Sequence, residues 1–427
     1  MTTSLAGAVT THRLDNGMAL VAAPDPSATT VAMSITWRAG FVDDPDGAPG
    51  LAHLIEHLMF QGTRRHGRQD YYRAYFGSGG CTNAYTRTGH TTYHAEFPVQ
   101  LLPTALELEA DRFGDFAPTR EAVEQERALI IREIAETTGA RPLGGFPWEQ
   151  LQAILFADSA HAHNGYVTPP GPFLVLPASC QEFVATRYRP EQATIALVGR
   201  FDPAEALALA AAGIGQLAYD TAPFRRPHPI PAPARRILVE VPSPARRHAL
   251  AFGWRLPEPW LIPRRRAALV VLAAIVHGDS PSGLKHRLHD RDVRGVVRAD
   301  FGMFGDLDEL PEAVYLTVQA YHGPTQRETV HEAMQDTVET LARRPPPAEV
   351  RATAARLANQ RRRVLADPLN RAQQLAEHHT LWSSARRPWT VLSELAATDA
   401  DAVADVAGWL AGTDHAEAAT RLAGADQ

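Results

Sequence analysis

At 427 residues, with 45% hydrophobic and 21% charged side chains, the chain has the composition of an ordinary soluble globular protein with room for two or more cores. A net charge of −6 carries no signal for nucleic acid, and two cysteines, Cys81 and Cys180, exclude a disulfide framework. No apolar run is long enough to read as a membrane span, and Met1-Thr-Thr-Ser-Leu-Ala-Gly7 lacks the basic and apolar segments of a secretory signal, so no membrane partner and a cytoplasmic location are expected.

In chain order, Val31–Trp37 is the first long strand-like run, followed by a turn and a helix. That helix contains Ala52-His53-Leu-Ile-Glu56-His57-Leu-Met-Phe60. Two histidines four residues apart share one helix face, with Glu56 beside them, a spacing that suits a catalytic zinc with its own general base. The order His-x-x-Glu-His is the inverzincin pattern. An amphipathic helix with two structural histidines remains the plain alternative, and Gly62 is the natural stop.

Cys81–Phe97 is rich in β-branched and aromatic residues, follows the glycines at 77, 79 and 80, and reads as a strand pair or a strand with a turn at Gly89. His90 and His94 read as polar strand residues. Further on, Glu124–Glu136 is strongly helical, and Glu126 and Glu133 lie two turns apart on one face. Glu121, Glu124 and Glu136 read as solvated charges.

Residues 221–236 hold five prolines without apolar periodicity and read as an extended linker. Beyond it, Arg247–Trp254 resembles Val31–Trp37, and each is followed by a turn and a helix. The second half has no His-x-x-Glu-His. The expected fold class is therefore α+β, with two related domains: 1–220 zinc-binding, 221–236 linker, 237–427 metal-free. Lys285 is the single lysine, and clusters such as Arg264–Arg266 and Arg361–Arg363 read as solvated helix faces.

Across most of its length the chain resembles the pitrilysin-like inverzincin peptidases, in particular their half-length branch typified by mitochondrial processing peptidase and bacterial relatives. The resemblance rests on Leu14-Asp-Asn-Gly17, Arg38-Ala-Gly40, Gly50-Leu-Ala-His53, Phe60-Gln-Gly62-Thr63, Asn83-Ala84-Tyr85-Thr86, Glu126 to Glu133, Arg187-Tyr188-Arg-Pro190 and Ala196-Leu-Val-Gly199. His57 and Glu133 stand at the family's interval. The resemblance implies that His53, His57 and Glu133 bind one Zn2+, that Glu56 activates water, and that Glu126 orients a ligand or water from outside. It further implies two sheet-and-helix units forming half of a clamshell chamber. In the family, the stretch matching Asn83, Ala84, Tyr85 and Thr86 is an edge strand to which an extended peptide substrate adds.

One departure stands out. Family members with a working C-terminal half carry an arginine and, seven residues on, a tyrosine that hold substrate and oxyanion. Aligning on Gly295 retains Arg291 but puts Arg298 at the tyrosine's place, and no tyrosine lies between Tyr219 and Tyr315. Either Arg298 supplies the donor, or a metal-free homologous subunit provides the Arg–Tyr pair in a heterodimer; a homodimer is the other assembly. A zinc endopeptidase acting on unfolded or extended peptides is the expectation, and a non-catalytic peptide-binding or scaffold subunit is the alternative.

Overall fold

The computed structural model describes residues 9–139, 143, 145–157, 159–163, 175–218, 237–243, 248–256, 263–301, 313–321 and 326–422. The first half of the chain runs β1 (Thr10–Arg13), β2 (Ala19–Pro24), β3 (Thr30–Trp37), α1 (Leu51–Leu58), α2 (Arg68–Gly77), β4 (Cys81–Thr86) and β5 (Thr91–Pro98). It continues with α3 (Leu102–Gly114), α4 (Arg120–Ile134), α5 (Trp148–Leu155), α6 (Pro177–Arg187), β6 (Ala193–Gly199) and α7 (Pro203–Ala212). The second half runs β7 (Ile237–Ser243), β8 (His248–Arg255), α8 (Pro263–His277), α9 (Leu284–Asp290), β9 (Val296–Phe301) and β10 (Ala313–Tyr321). It ends with α10 (Arg327–Arg343), α11 (Pro347–Ala366), α12 (Pro368–Trp382), α13 (Arg387–Ala396), α14 (Ala400–Gly412) and β11 (Ala416–Leu422).

Each of two compact units is built on one sheet. The first sheet has the order β1-β2-β6-β3-β5-β4 and the second β7-β11-β8-β10-β9. Pairing is antiparallel throughout except β2 with β6 and β7 with β11. Leaving out β1, the two orders are the same topology repeated, strand for strand, so β3 and β8 are equivalent as their sequences suggest. The class is α+β with mostly antiparallel sheets.

The units are not the linear domains read from the sequence. One comprises residues 1–133, 168–227 and 362–390, the other 134–167, 228–361 and 391–427. The proline-rich segment 221–236 lies outside the described residues. Each unit also recruits a helix from the other half of the chain, α12 for the first and α5 for the second, and no linker composition announces such an exchange.

The reason is that both faces of each sheet are apolar. On the first, Val21, Ala23, Ala32, Ala196 and Val198 meet Ala372, Leu375 and Ala376 of α12; the small side chains let the helix approach closely. Fully buried Leu375 contributes about 2 kcal/mol of transfer free energy. The opposite face of β3 carries Val31, Met33, Ile35 and Trp37, with the Trp37 ring 4.9 Å from Phe113 and 5.3 Å from Tyr188. The second sheet repeats this: Leu151 and Leu155 of α5 lie on Ala249, Ala251, Ala416 and Ala418, and Leu250, Phe252 and Trp254 face the opposite core. Among the described residues no helix is long and apolar enough to cross a membrane.

Candidate metal centre

The His-x-x-Glu-His segment is helical because its start is capped. The Asp44 carboxylate accepts from the Gly50 amide at 2.6 Å and the Ala52 amide at 2.8 Å, satisfying two orphan donors at the positive end of α1. Gly50 turns in with φ +91°, a left-handed conformation suited to glycine. Buried Leu51, Leu54, Ile55 and Leu58 anchor the helix. It ends at Leu58, a turn before the stop expected at Gly62; Gly62 (φ +93°) instead bridges to Gly67 in the following turn.

α4 brings its two carboxylates to this helix. The Glu133 Oε2 lies 3.4 Å from His57 Nε2 and 4.0 Å from His53 Nε2. One ligand atom from each of His53, His57 and Glu133 falls within 4.8 Å of the other two. Glu126, one face-repeat earlier, accepts from His57 Nδ1 at 3.0 Å and from the Gln61 amide. With Nδ1–H donating to Glu126, the Nε2 lone pair of His57 is directed at the convergence point. Two imidazole nitrogens and a carboxylate are the donor set of a catalytic zinc site, so the residues present fit that ion.

Glu56 is buried on the same helix, and its Oε2 accepts from the Thr86 hydroxyl at 2.6 Å. Burial pushes its carboxyl up to about 7, against the opposing pulls of the Thr86 bond and His57. His57 is drawn the other way: burial would lower it, but the bonds to Glu126 and Glu133 raise it to about 9 in the metal-free protein. Glu133 is held below the usual carboxylate range, chiefly by its bond to His57. A base near neutrality thus sits next to the His53, His57 and Glu133 cluster.

Among the described residues β4 lies at the edge of the first sheet, paired with β5 alone. Of its expected substrate-binding residues, Asn83 is exposed, while Ala84 and Thr86 are buried. The Tyr85 hydroxyl donates to Glu377 of α12, and Thr86 is spent on Glu56. The edge therefore offers its backbone rather than these two side chains. His90 and His94 are not at the metal cluster: His90 Nε2 lies 3.7 Å from Glu377, and burial drives His94 down to about 4. The roles of Asp44, Thr86 and Glu377 were not legible in sequence, because each acts across a fold contact rather than within a motif.

Arg291 follows α9 in the second unit, ion-paired with Asp336 on α10. Arg298 is exposed on β9, the edge strand of that sheet.

A family profile described as Insulinase (Peptidase family M16) matches residues 19–143, and one described as Peptidase M16 inactive domain matches residues 177–357. The segment holding His53, Glu56, His57 and Glu133 falls wholly in the first. An uncharacterized zinc protease of Mycobacterium tuberculosis is 27% identical over 337 residues, 77% of this chain and 74% of that protein. The mitochondrial-processing peptidase subunit beta of Blastocladiella emersonii is 24% identical over 217 residues, 50% of this chain and 46% of that protein. Among solved structures, a protease from Helicobacter pylori superposes with a TM-score of 0.83 at 15% identity, covering 97% of this chain and 99% of that one. Pitrilysin superposes with a TM-score of 0.74 at 18% identity, covering 96% of this chain and 44% of that one. These two show a shared fold, and the profile matches along most of the sequence go further: this chain belongs to peptidase family M16.

Proposed function

We propose that the chain is a zinc metalloendopeptidase that cleaves unfolded or extended peptides, with His53, His57 and Glu133 holding the ion. The observation that carries this reading is the convergence of His53, His57 and Glu133 beside a buried Glu56 whose carboxyl is raised to about 7. When bound, zinc supplies Lewis acidity that acidifies water and polarises a peptide carbonyl.

The chain's own residues account for the rest. Glu56 accepts a proton from water near neutral pH and returns it to the leaving amine. Thr86 fixes the carboxylate's orientation through one oxygen, leaving the other for that transfer. Glu126, itself held by the Gln61 amide, orients the His57 ring. An extended peptide pairs with the open edge of β4 through its backbone and runs toward Thr86 and Glu56, so selection is by conformation more than by sequence.

The absent tyrosine, with Arg298 in its aligned place and Arg291 engaged by Asp336, supports a second, metal-free homologous subunit that supplies an Arg–Tyr pair. The test is peptide hydrolysis by the purified zinc-loaded chain, alone and after addition of such a homologue from the same host. Activity that rises on addition supports the reading, and full turnover by the isolated chain removes the partner from it. A folded, zinc-loaded pair that cleaves no unfolded peptide overturns the peptidase assignment in favour of a peptide-holding subunit.

A further inference from the structure

The second unit contains a cluster of two histidines and a glutamate that belongs to no motif of the sequence. His415 and Glu417 alternate onto one face at the start of β11, and His331 reaches them from α10. The His415 Nε2 lies 3.1 Å and the His331 Nε2 3.3 Å from the same Glu417 oxygen, and one ligand atom from each residue lies within 4.8 Å of the others. His331 and Glu417 are 4% and 3% exposed. The rings of Phe252 and Trp254 wall the cluster, 5.7 Å and 5.0 Å from His415.

The internal repeat shows how unusual this carboxylate is. In the first unit β6 pairs Trp37 with Ala193 and Ile35 with Ile195; in the second β11 pairs Gly253 with Ala416 and Phe252 with Glu417. With Trp37 equivalent to Trp254, Glu417 occupies the place of fully buried Ile195, and His415 that of Ala193. A carboxylate at an apolar core position is costly unless its charge is compensated and its oxygens are bonded. Nor is the cluster a remnant of the other centre, whose helix α1 has its counterpart in α8 rather than in α10 or β11.

We propose that His331, His415 and Glu417 form a second zinc site, which ties α10 to β11. Neighbouring ligands about 2.0–2.1 Å from one tetrahedral zinc lie roughly 3.3–3.4 Å apart, close to the separations found here. Two imidazoles and one carboxylate favour zinc over the oxygen-seeking calcium and magnesium. Three protein donors leave the fourth position to water, and the aromatic wall keeps bulk solvent from it. The half expected to be metal-free would then hold an ion of its own.

The test uses the full chain, stripped of metal, reloaded with zinc chloride and dialysed, with zinc per chain measured by mass spectrometry. Wild type should hold two ions, the His53→Ala/His57→Ala variant one, and the same variant carrying Glu417→Gln none. Zinc should raise the Tm of the double variant and leave that of the triple variant unmoved. A double variant that is folded by circular dichroism yet holds no zinc, beside a wild type holding one, overturns the proposal and leaves the peptidase centre intact. A wild type holding one ion that survives His53→Ala/His57→Ala supports the second site and removes the ion from the first. The double variant leaves the second unit unaltered, so the proposal remains testable even if Glu417→Gln does not fold.

Discussion

Replacing Glu56 by glutamine separates what this residue does for stability from what it does for chemistry. Its carboxyl rises from the usual 4.5 to about 7, chiefly through burial. At about 1.4 kcal/mol per pH unit, the ionised form weakens the metal-free fold by roughly 3 kcal/mol. The sign follows from the order of titration. Below pH 4.5 the group is neutral in both states; between 4.5 and about 7 the unfolded chain ionises first and stability is lost; above 7 the loss is complete. A glutamine does not titrate, and its amide oxygen can still accept from Thr86. Urea denaturation of metal-free Glu56→Gln should show a stability advantage over wild type that grows by about 3 kcal/mol from pH 4.5 to 8. In the zinc-loaded protein the same variant should retain its metal at the His53, His57 and Glu133 centre while peptide hydrolysis falls by about 10²–10⁴-fold. A difference in stability that does not change with pH refutes the electrostatic argument, and retained hydrolysis refutes the role as base.

Thr86→Val removes the hydrogen bond that lowers Glu56 most, so the acid limb of the peptidase pH profile should move to higher pH, with a stability loss of about 1 kcal/mol by thermal melting. Glu126→Gln should weaken zinc binding about 10–100-fold in competition with a chelator while leaving Glu56 in place. Because His57 is protonated up to about 9 without metal, zinc affinity should climb by about tenfold per pH unit toward that value, and calorimetry in buffers of different ionisation enthalpy should report the released proton. Asp44→Ala strips the cap from α1 and should cost about 1 kcal/mol of stability and loosen the metal, measured by melting with and without zinc.

The centre was legible where chemistry and local periodicity coincide. His53, Glu56 and His57 lie within one helix and Glu126 and Glu133 within another, so spacing alone puts each set on one face. Spacing does not single out Glu133 among the glutamates of that helix; the family resemblance does, and in the fold its carboxylate lies 3.4 Å from His57 and 4.0 Å from His53. The β3–β8 likeness signalled the repeat, since both are buried strands with the same alternation. What escaped was every relation created by long-range packing. The α5 and α12 exchange depends on apolar faces on both sides of each sheet, and no local pattern says which helix will cover which face. Thr86 reads from sequence as part of a substrate-binding edge strand, and only the fold puts its hydroxyl on Glu56. His331 and Glu417 are brought together only by the packing of α10 on β11, and His415-Ala-Glu417 by itself is too short a pattern to notice.

Anomalous diffraction at the zinc edge, from crystals of the zinc-loaded chain, bears most directly on the central claim. The expected result is a peak within about 2.0–2.2 Å of His53 Nε2, His57 Nε2 and a Glu133 carboxylate oxygen. No peak there in a crystal that has zinc in its mother liquor, or a peak held by other residues, would contradict the assignment of this centre.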